Sequence, residues 1–143
     1  MRALIQRVAS ASVSVDGERL AAIGPGLLVL LGVADGDSER EADRIAAKVA
    51  ALRVFEDASG KLNDPLGERE VLCVSQFTLL GDTSKGNRPS FVAAARPEVA
   101  KPLYERVCEA LAARRGVFGA TMAVELVNDG PLTLMLEVPP GAR

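Results

Sequence analysis

The chain has 143 residues, of which 48% are hydrophobic and 25% charged, as in an ordinary globular domain. It contains no histidine, which excludes Ser-His-Asp and Cys-His catalysis and leaves a zinc site only carboxylates and two cysteines as ligands. The net charge of −2 argues against a protein that coats nucleic acid indiscriminately, because such binding needs a large positive field.

The length fits one domain covering residues 1–143. The longest apolar run, Leu27 to Val33, is too short to cross a bilayer. Gln6 and Arg7 interrupt any signal-peptide core near the start. We therefore expect a cytoplasmic protein that does not enter a membrane.

Strands dominate the first part of the chain. The expected strands are Ala3 to Val15, as one bent strand or two short ones, then Glu18 to Ile23, then Leu27 to Val33. Asp16-Gly17 turns the chain between the first two. Ser38 and Glu41 form a capping box, and apolar residues at helical spacing predict a helix from there to Leu52.

The second half alternates loops and regular elements. Turn-rich residues predict surface loops over Asp57 to Gly60 and Asn63 to Gly67, with a short extended piece between them, and a long ordered loop over Leu80 to Phe91. Between them, Glu70 to Gln76 is expected to be an interior strand. A second amphipathic helix begins at Pro97, with Gly116 just beyond its end.

The C-terminal part predicts two antiparallel strands, Thr121 to Val127 and Leu132 to Val138, joined by a turn at Asn128 to Pro131. Together the elements predict an α+β domain. Its sheet should be mostly antiparallel or a partly closed β-barrel, with two main helices packed on it.

Ser75-Gln76-Phe77-Thr78 follows the interior strand and has two interpretations. Ser and Thr often end strands by bonding to local backbone, which requires no function. Alternatively, the strand end exposes the amides of Phe77 and Thr78 together, and two convergent amides can stabilise a developing oxyanion without an ionisable side chain.

Asp129-Gly130-Pro131 also has two interpretations. Asp-Gly is a strong hairpin signal, so a simple turn is one interpretation. The other is a rigid rim, because Gly-Pro can be cis, and Gly130 has no side chain to keep a ligand away. Such a rim could reject a ligand by its shape.

These two motifs occur with further segments in a fixed order along the chain. The further segments are Ala3 to Val8, Gly26 to Val33, Gly86 to Phe91 and Gly119 to Met122. In this combination the sequence resembles the D-aminoacyl-tRNA deacylase family over essentially its full length.

The resemblance implies a homodimeric enzyme that hydrolyses the ester between a D-amino acid and the 3′-terminal adenosine of tRNA. Glycine mischarged on tRNA would be a second substrate. It further implies that Gly130-Pro131 is cis and enters the active site of the opposite subunit to exclude L-amino acids. Ser75 and Gln76 would line the same pocket, and the amides of Phe77 and Thr78 would form its oxyanion hole.

We expect no metal, no cofactor, and no membrane or DNA partner. Arg7 is expected to brace the inserted turn, and Gln76 to order the pocket. Lys85 and Arg88 are expected to meet tRNA phosphates, which predicts salt-sensitive affinity.

The attacking group stays open between two routes. The Thr78 hydroxyl could attack, but without histidine it has no evident base. Water could attack instead with help from the tRNA 2′-hydroxyl, which we favour because aminoacyl esters are already labile. Two other functions compete: a hydrolase of small esters with a Thr78 nucleophile, and a dimeric RNA-binding module without catalysis.

Overall fold

The computed structural model describes residues 1–141. The strands are β1 Arg2–Val15, β2 Glu18–Ile23, β3 Gly26–Gly32, β4 Phe55–Glu56, β5 Leu62–Asp64, β6 Glu70–Ser75, β7 Arg114–Arg115 and β8 Ala123–Glu137. The helices are α1 Glu39–Ala51 and α2 Pro97–Ala110, and Phe77–Leu80 forms a short 3-10 helix, here called the 3-10 turn.

β1 organises the main sheet. It pairs antiparallel with β3 through its first half, with β2 through its second half, and with β8 along nearly its whole length. β6 lies parallel to β3, and β7 lies parallel to β6. The parallel pairing of β3 with β6 follows from the connection through α1, since parallel strands need a crossover.

The expected fold class is confirmed, with a mixed rather than uniformly antiparallel sheet. β2 approaches β6 and β7, so the sheet nearly closes into a barrel. β4 and β5 form a separate antiparallel ribbon. β5 begins in the short extended piece that the sequence predicts, but it continues into Asn63 and Asp64 of an expected loop.

Two apolar clusters hold these layers together. The larger lies between the sheet and the helices and includes Ile5, Val29, Ile45, Val49, Cys73 and Val107. The smaller, inside the curved sheet, consists of Val8, Ala11, Val13, Ile23, Leu28, Leu72 and Val74. Among residues 1–141, no helix combines the length and apolar character needed to cross a membrane.

The capping box of α1 is confirmed. The Ser38 hydroxyl accepts from the Arg40 amide, and the Glu41 carboxylate accepts from the Ser38 amide at 2.7 Å. Glu41 also accepts from the Gly141 amide at 2.9 Å, which fastens the end of the described chain to α1. Hydrogen bonds to the Glu41 carboxylate, led by the one that the Ser38 hydroxyl donates to it at 2.6 Å, lower the pKa of Glu41 to about 2.

The second helix ends earlier than the sequence suggested. Pro97 lies in its first turn as expected, and Pro102 is accommodated inside it. The helix ends at Ala110, and the left-handed conformation that often follows a helix is adopted by Ala112 (φ +49°) and not by Gly116. Gly116 instead follows β7, a strand too short to give a sequence signal.

The predicted hairpin at Asn128 to Pro131 is wrong. β8 keeps one direction throughout: residues 123–128 pair with the far half of β1, and residues 133–137 pair with its beginning. Residues 129–132 lie opposite Arg7 and bulge out of the ladder. The chain has no need to reverse, because β1, at 14 residues, is long enough to pair with both halves of β8.

Candidate active site

The 3-10 turn begins where β6 ends. The Gln76 amide donates to the Leu31 carbonyl at 2.8 Å, which continues the β3–β6 pairing to the start of the turn. The first amides of a helix have no acceptor within it. Those of Phe77 and Thr78 have no hydrogen-bond partner among residues 1–141, so neither donor is used within the described chain.

Gly32 allows the turn to lie directly on the end of β3. A Cβ added there would come within 2.6 Å of a Leu80 methyl group and 2.9 Å of the Gln76 carbonyl oxygen. A glycine is therefore required by this close approach of backbone to backbone.

A cleft of about 520 Å³ opens beside the turn. Ser75, Gln76 and Phe77 line one side. The rest of the lining is Val33, Val74, Phe91, Ala94, Ala95, Pro97, Ala100, Phe118, Gly119, Ala120, Met122 and Val124. None of these side chains titrates, so proton transfer within the cleft would have to use backbone, hydroxyl, amide or substrate groups.

Thr78 is not among the residues that line this cleft, although its neighbours Gln76 and Phe77 are, and it is exposed. Its hydroxyl oxygen accepts a short hydrogen bond from the Gln76 side-chain amide. The two residues that the sequence assigned to pocket order and to possible attack are thus bonded to each other.

Two aromatic rings meet at the cleft. Phe77 and Phe91 pack edge to face with centroids 5.1 Å apart, although 55% of Phe77 remains exposed. A Cβ at Gly81 would meet the Phe91 ring at 3.0 Å, so this glycine permits the pairing. Phe91 was known from the sequence only as part of a loop motif.

Arg7 holds the bulge of β8. Its guanidinium donates to the Val54 carbonyl at 2.8 Å and to the Asp129 carbonyl at 3.2 Å, and it lies 3.4 Å from the Asp129 carboxylate. Only 8% of Arg7 is exposed. A Cβ added to Gly130 would lie 2.7 Å from this guanidinium, so Arg7 packs directly beneath the bulge.

Asn128 closes the base of the same bulge, a role that the sequence did not reveal. Its side-chain amide donates to the Arg7 carbonyl at 2.9 Å and to the Leu132 carbonyl at 3.0 Å. The Gly130-Pro131 peptide bond is cis. Both residues are exposed and neither lines the cleft of its own chain, so the two predicted motifs are not brought together within one chain.

Lys85 and Arg88 are exposed on the long loop that follows the 3-10 turn. The loop is closed by a pair of backbone hydrogen bonds between Asp82 and Ser90, at 2.8 and 2.9 Å. Hydrogen bonds from Ser84 lower the pKa of the Asp82 carboxyl group. Among residues 1–141, no group of three or more cysteine, aspartate or glutamate side chains is arranged to hold a metal ion.

The family model described as D-Tyr-tRNA(Tyr) deacylase matches residues 4–137. The chain belongs to this deacylase family. It is 56% identical to the D-aminoacyl-tRNA deacylase of Myxococcus xanthus, with 97% of this chain and 95% of that protein covered. It is also 56% identical to the D-aminoacyl-tRNA deacylase of Anaeromyxobacter dehalogenans, with 96% and 97% covered.

Two solved structures share the fold of the chain. The structure titled "c-Myc DNA Unwinding Element Binding Protein" is 44% identical, with a TM-score of 0.91 over 97% of this chain and 99% of that one. One titled "Structural Analysis of a probable eukaryotic D-amino acid tRNA deacylase" has a TM-score of 0.81 over 96% and 98%. It is only 18% identical and supports the fold alone.

The predicted family and enzyme class are therefore confirmed: the chain is a D-aminoacyl-tRNA deacylase, a hydrolase of the aminoacyl-tRNA ester. The roles of individual site residues stay predictions.

Proposed function

We propose that the enzyme, as a single domain, hydrolyses D-aminoacyl-tRNA through backbone groups of the 3-10 turn and rejects L-aminoacyl-tRNA through Gly130-Pro131 of a second subunit. One observation carries the proposal: among residues 1–141 the cleft beside the turn has no titratable side chain in its lining, and the turn itself has two amides, of Phe77 and Thr78, without a hydrogen-bond partner. A site of this kind suits an ester that needs only oxyanion stabilisation and positioning.

In this proposal the Phe77 and Thr78 amides bind the oxyanion, with Ser75 and Gln76 shaping the pocket. A single such donor contributes about 3 kcal/mol in other acyl-transfer enzymes. Water attacks with help from the neighbouring 2′-hydroxyl of the tRNA. The hydrogen bond from Gln76 supports this route over attack by Thr78, because it occupies the threonine oxygen without removing its proton.

Chirality is read by exclusion in a homodimer. The bulge that carries Gly130 and Pro131 is exposed and braced by the buried Arg7, so it suits insertion into the cleft of another copy. A backbone surface pressed against the α-carbon rejects an L side chain yet leaves a D side chain in solvent. Glycine has no side chain to exclude, so glycyl-tRNA is accepted.

Lys85 and Arg88 are proposed to contact tRNA phosphates, in support of which both are exposed on the loop beside the cleft. Affinity for tRNA then falls as salt rises. We place the enzyme in the cytoplasm, where aminoacyl-tRNA is made and used.

The test uses matched D- and L-aminoacyl-tRNA and a substrate ending in 2′-deoxyadenosine. We expect rapid loss of the D-ester, persistence of the L-ester, and poor cleavage of the deoxy substrate. Thr78→Ala should retain substantial turnover. Equal hydrolysis of both enantiomers would refute chiral exclusion, and normal cleavage of the deoxy substrate would refute the role of the 2′-hydroxyl.

A small-ester hydrolase would instead cleave free D-amino-acid esters as well as the tRNA ester. An RNA-binding module would protect aminoacyl-tRNA from spontaneous hydrolysis. Both outcomes are read from the same time courses, with free ester and with enzyme-free tRNA as controls.

A further inference from the structure

A side chain at the start of β1 holds the far end of the 3-10 turn. The Arg2 guanidinium donates to the Leu79 carbonyl at 2.8 Å and, through Nε, to the Glu137 carboxylate at 2.6 Å. A guanidinium offers several donors in one plane, so a single group can bind a carbonyl and a carboxylate at once.

The strand register explains how Arg2 reaches the turn. Arg2 pairs with Gly32 of β3 on one side and with Glu137 of β8 on the other. Because Gly32 has no side chain, the 3-10 turn lies against the sheet at this level, within reach of the arginine.

The turn is therefore held at both ends. The hydrogen bond from the Gln76 amide to Leu31 fixes its beginning, and Arg2 binds a carbonyl of its last turn. Among residues 1–141, no other side chain outside the turn donates to a carbonyl of Phe77–Leu80.

We propose that Arg2 is a positioning residue for deacylation. By fixing the Leu79 carbonyl it keeps the 3-10 turn from rotating on the sheet, and so keeps the Phe77 and Thr78 amides directed at the reacting carbonyl. The inference rests on the proposed oxyanion role of these two amides. It assigns Arg2 no contact with substrate.

The test is the steady-state kinetics of Arg2→Gln on D-aminoacyl-tRNA, at a temperature where circular dichroism shows the variant folded. We expect kcat to fall about fivefold with KM unchanged, since a partly exposed charged hydrogen bond is lost and misdirected amides affect the transition state alone. Arg2→Lys should recover part of kcat, because an ammonium retains one donor to the carbonyl.

Two variants separate positioning from general stability. Glu137→Gln removes the charge partner but leaves the bond from Arg2 to Leu79, so its kcat should fall less than that of Arg2→Gln. Arg106→Gln is the matched control: the Arg106 side chain is 44% exposed against 37% for Arg2, and it pairs with Glu39 and Asp43 of α1 rather than with the turn. Its kcat should not change.

Two results would overturn the inference. A lower melting temperature with unchanged kcat in Arg2→Gln would make the residue merely structural. A raised KM with unchanged kcat would make it a contact for tRNA. Equal hydrolysis of D- and L-esters by the unmutated enzyme would instead defeat chiral exclusion, and leave the kcat comparison to decide on Arg2 separately.

Discussion

Gly32→Ala should damage catalysis without touching a reacting group. The added methyl group would lie 2.9 Å from the Gln76 carbonyl oxygen, where ordinary contact begins at 3.4 Å. It would also lie 2.6 Å from a Leu80 methyl group, but that side chain can adjust more easily than backbone. The start of the 3-10 turn must therefore shift away from β3 by about 0.5 Å.

The size of the effect follows from that shift. A misplacement of 1 Å can lower turnover about a hundredfold, so half of that should lower kcat about tenfold. This is less than the loss of about a hundredfold or more that follows complete removal of an oxyanion donor. Overpacking should also lower the free energy of unfolding by about 1–3 kcal/mol.

Gly24→Ala is the control, because its Cβ would meet only a Glu70 side-chain oxygen at 3.7 Å, and Gly24, like Gly32, lies outside the left-handed region. The assay is single-turnover hydrolysis of D-aminoacyl-tRNA with enzyme in excess, so that the chemical step is measured. If Gly32→Ala and Gly24→Ala react equally fast, the position of the turn does not set the rate, and the reasoning fails.

Three further predictions concern stability at a fixed protein concentration. Gly130→Ala should lower the free energy of unfolding by about 2–4 kcal/mol, because φ is +122° and the new Cβ would lie 2.7 Å from the Arg7 guanidinium. Gly60→Ala, where φ is +76° but the added Cβ meets no atom, should lower it by about 1 kcal/mol, and equal losses for the two variants in urea titrations would contradict this prediction. Glu41→Gln should be less stable than the unmutated enzyme above pH 4.5, and this difference in stability should shrink as the pH falls towards about 2, because the folded state lowers the pKa of the Glu41 carboxyl group. A difference in melting temperature that does not change with pH would contradict this prediction. Tyr104→Phe should lower the free energy of unfolding by about 1 kcal/mol, because the Tyr104 hydroxyl donates a hydrogen bond to the buried Cys73 carbonyl at 2.7 Å. An unchanged melting temperature would show that this hydrogen bond does not contribute to stability.

The sequence predicted elements whose signals are local. The capping box at Ser38 and Glu41 satisfies amides within one turn of helix, so its residues suffice to place the start of α1. The strand over Leu27 to Val33 could be predicted in the same way, because a short apolar run bounded by glycines is typical of a strand that is buried on both faces.

Features that depend on distant strands were not predictable in the same way. The turn residues of Asp129-Gly130-Pro131 have the same local preferences in a hairpin and in a bulge. Only the length of β1, more than 100 residues away, makes the chain continue instead of reversing.

The candidate site shows the same division. Ser75 to Thr78 could be selected from their own residue types. Other lining residues of the cleft, Gly119, Ala120 and Met122, lie far along the chain and have no chemical signal of their own. Asn128 and Arg2 act through carbonyl groups of other segments, which a sequence does not display.

The bulge of β8 is tied into the ladder at both of its ends, with Arg7 packed beneath it. A backbone segment that is paired on both sides moves less than the unpaired tip of a hairpin. A ligand would therefore bind to a surface that does not need to change its conformation. Discrimination between ligands by their shape would not depend on a slow closing motion of the protein.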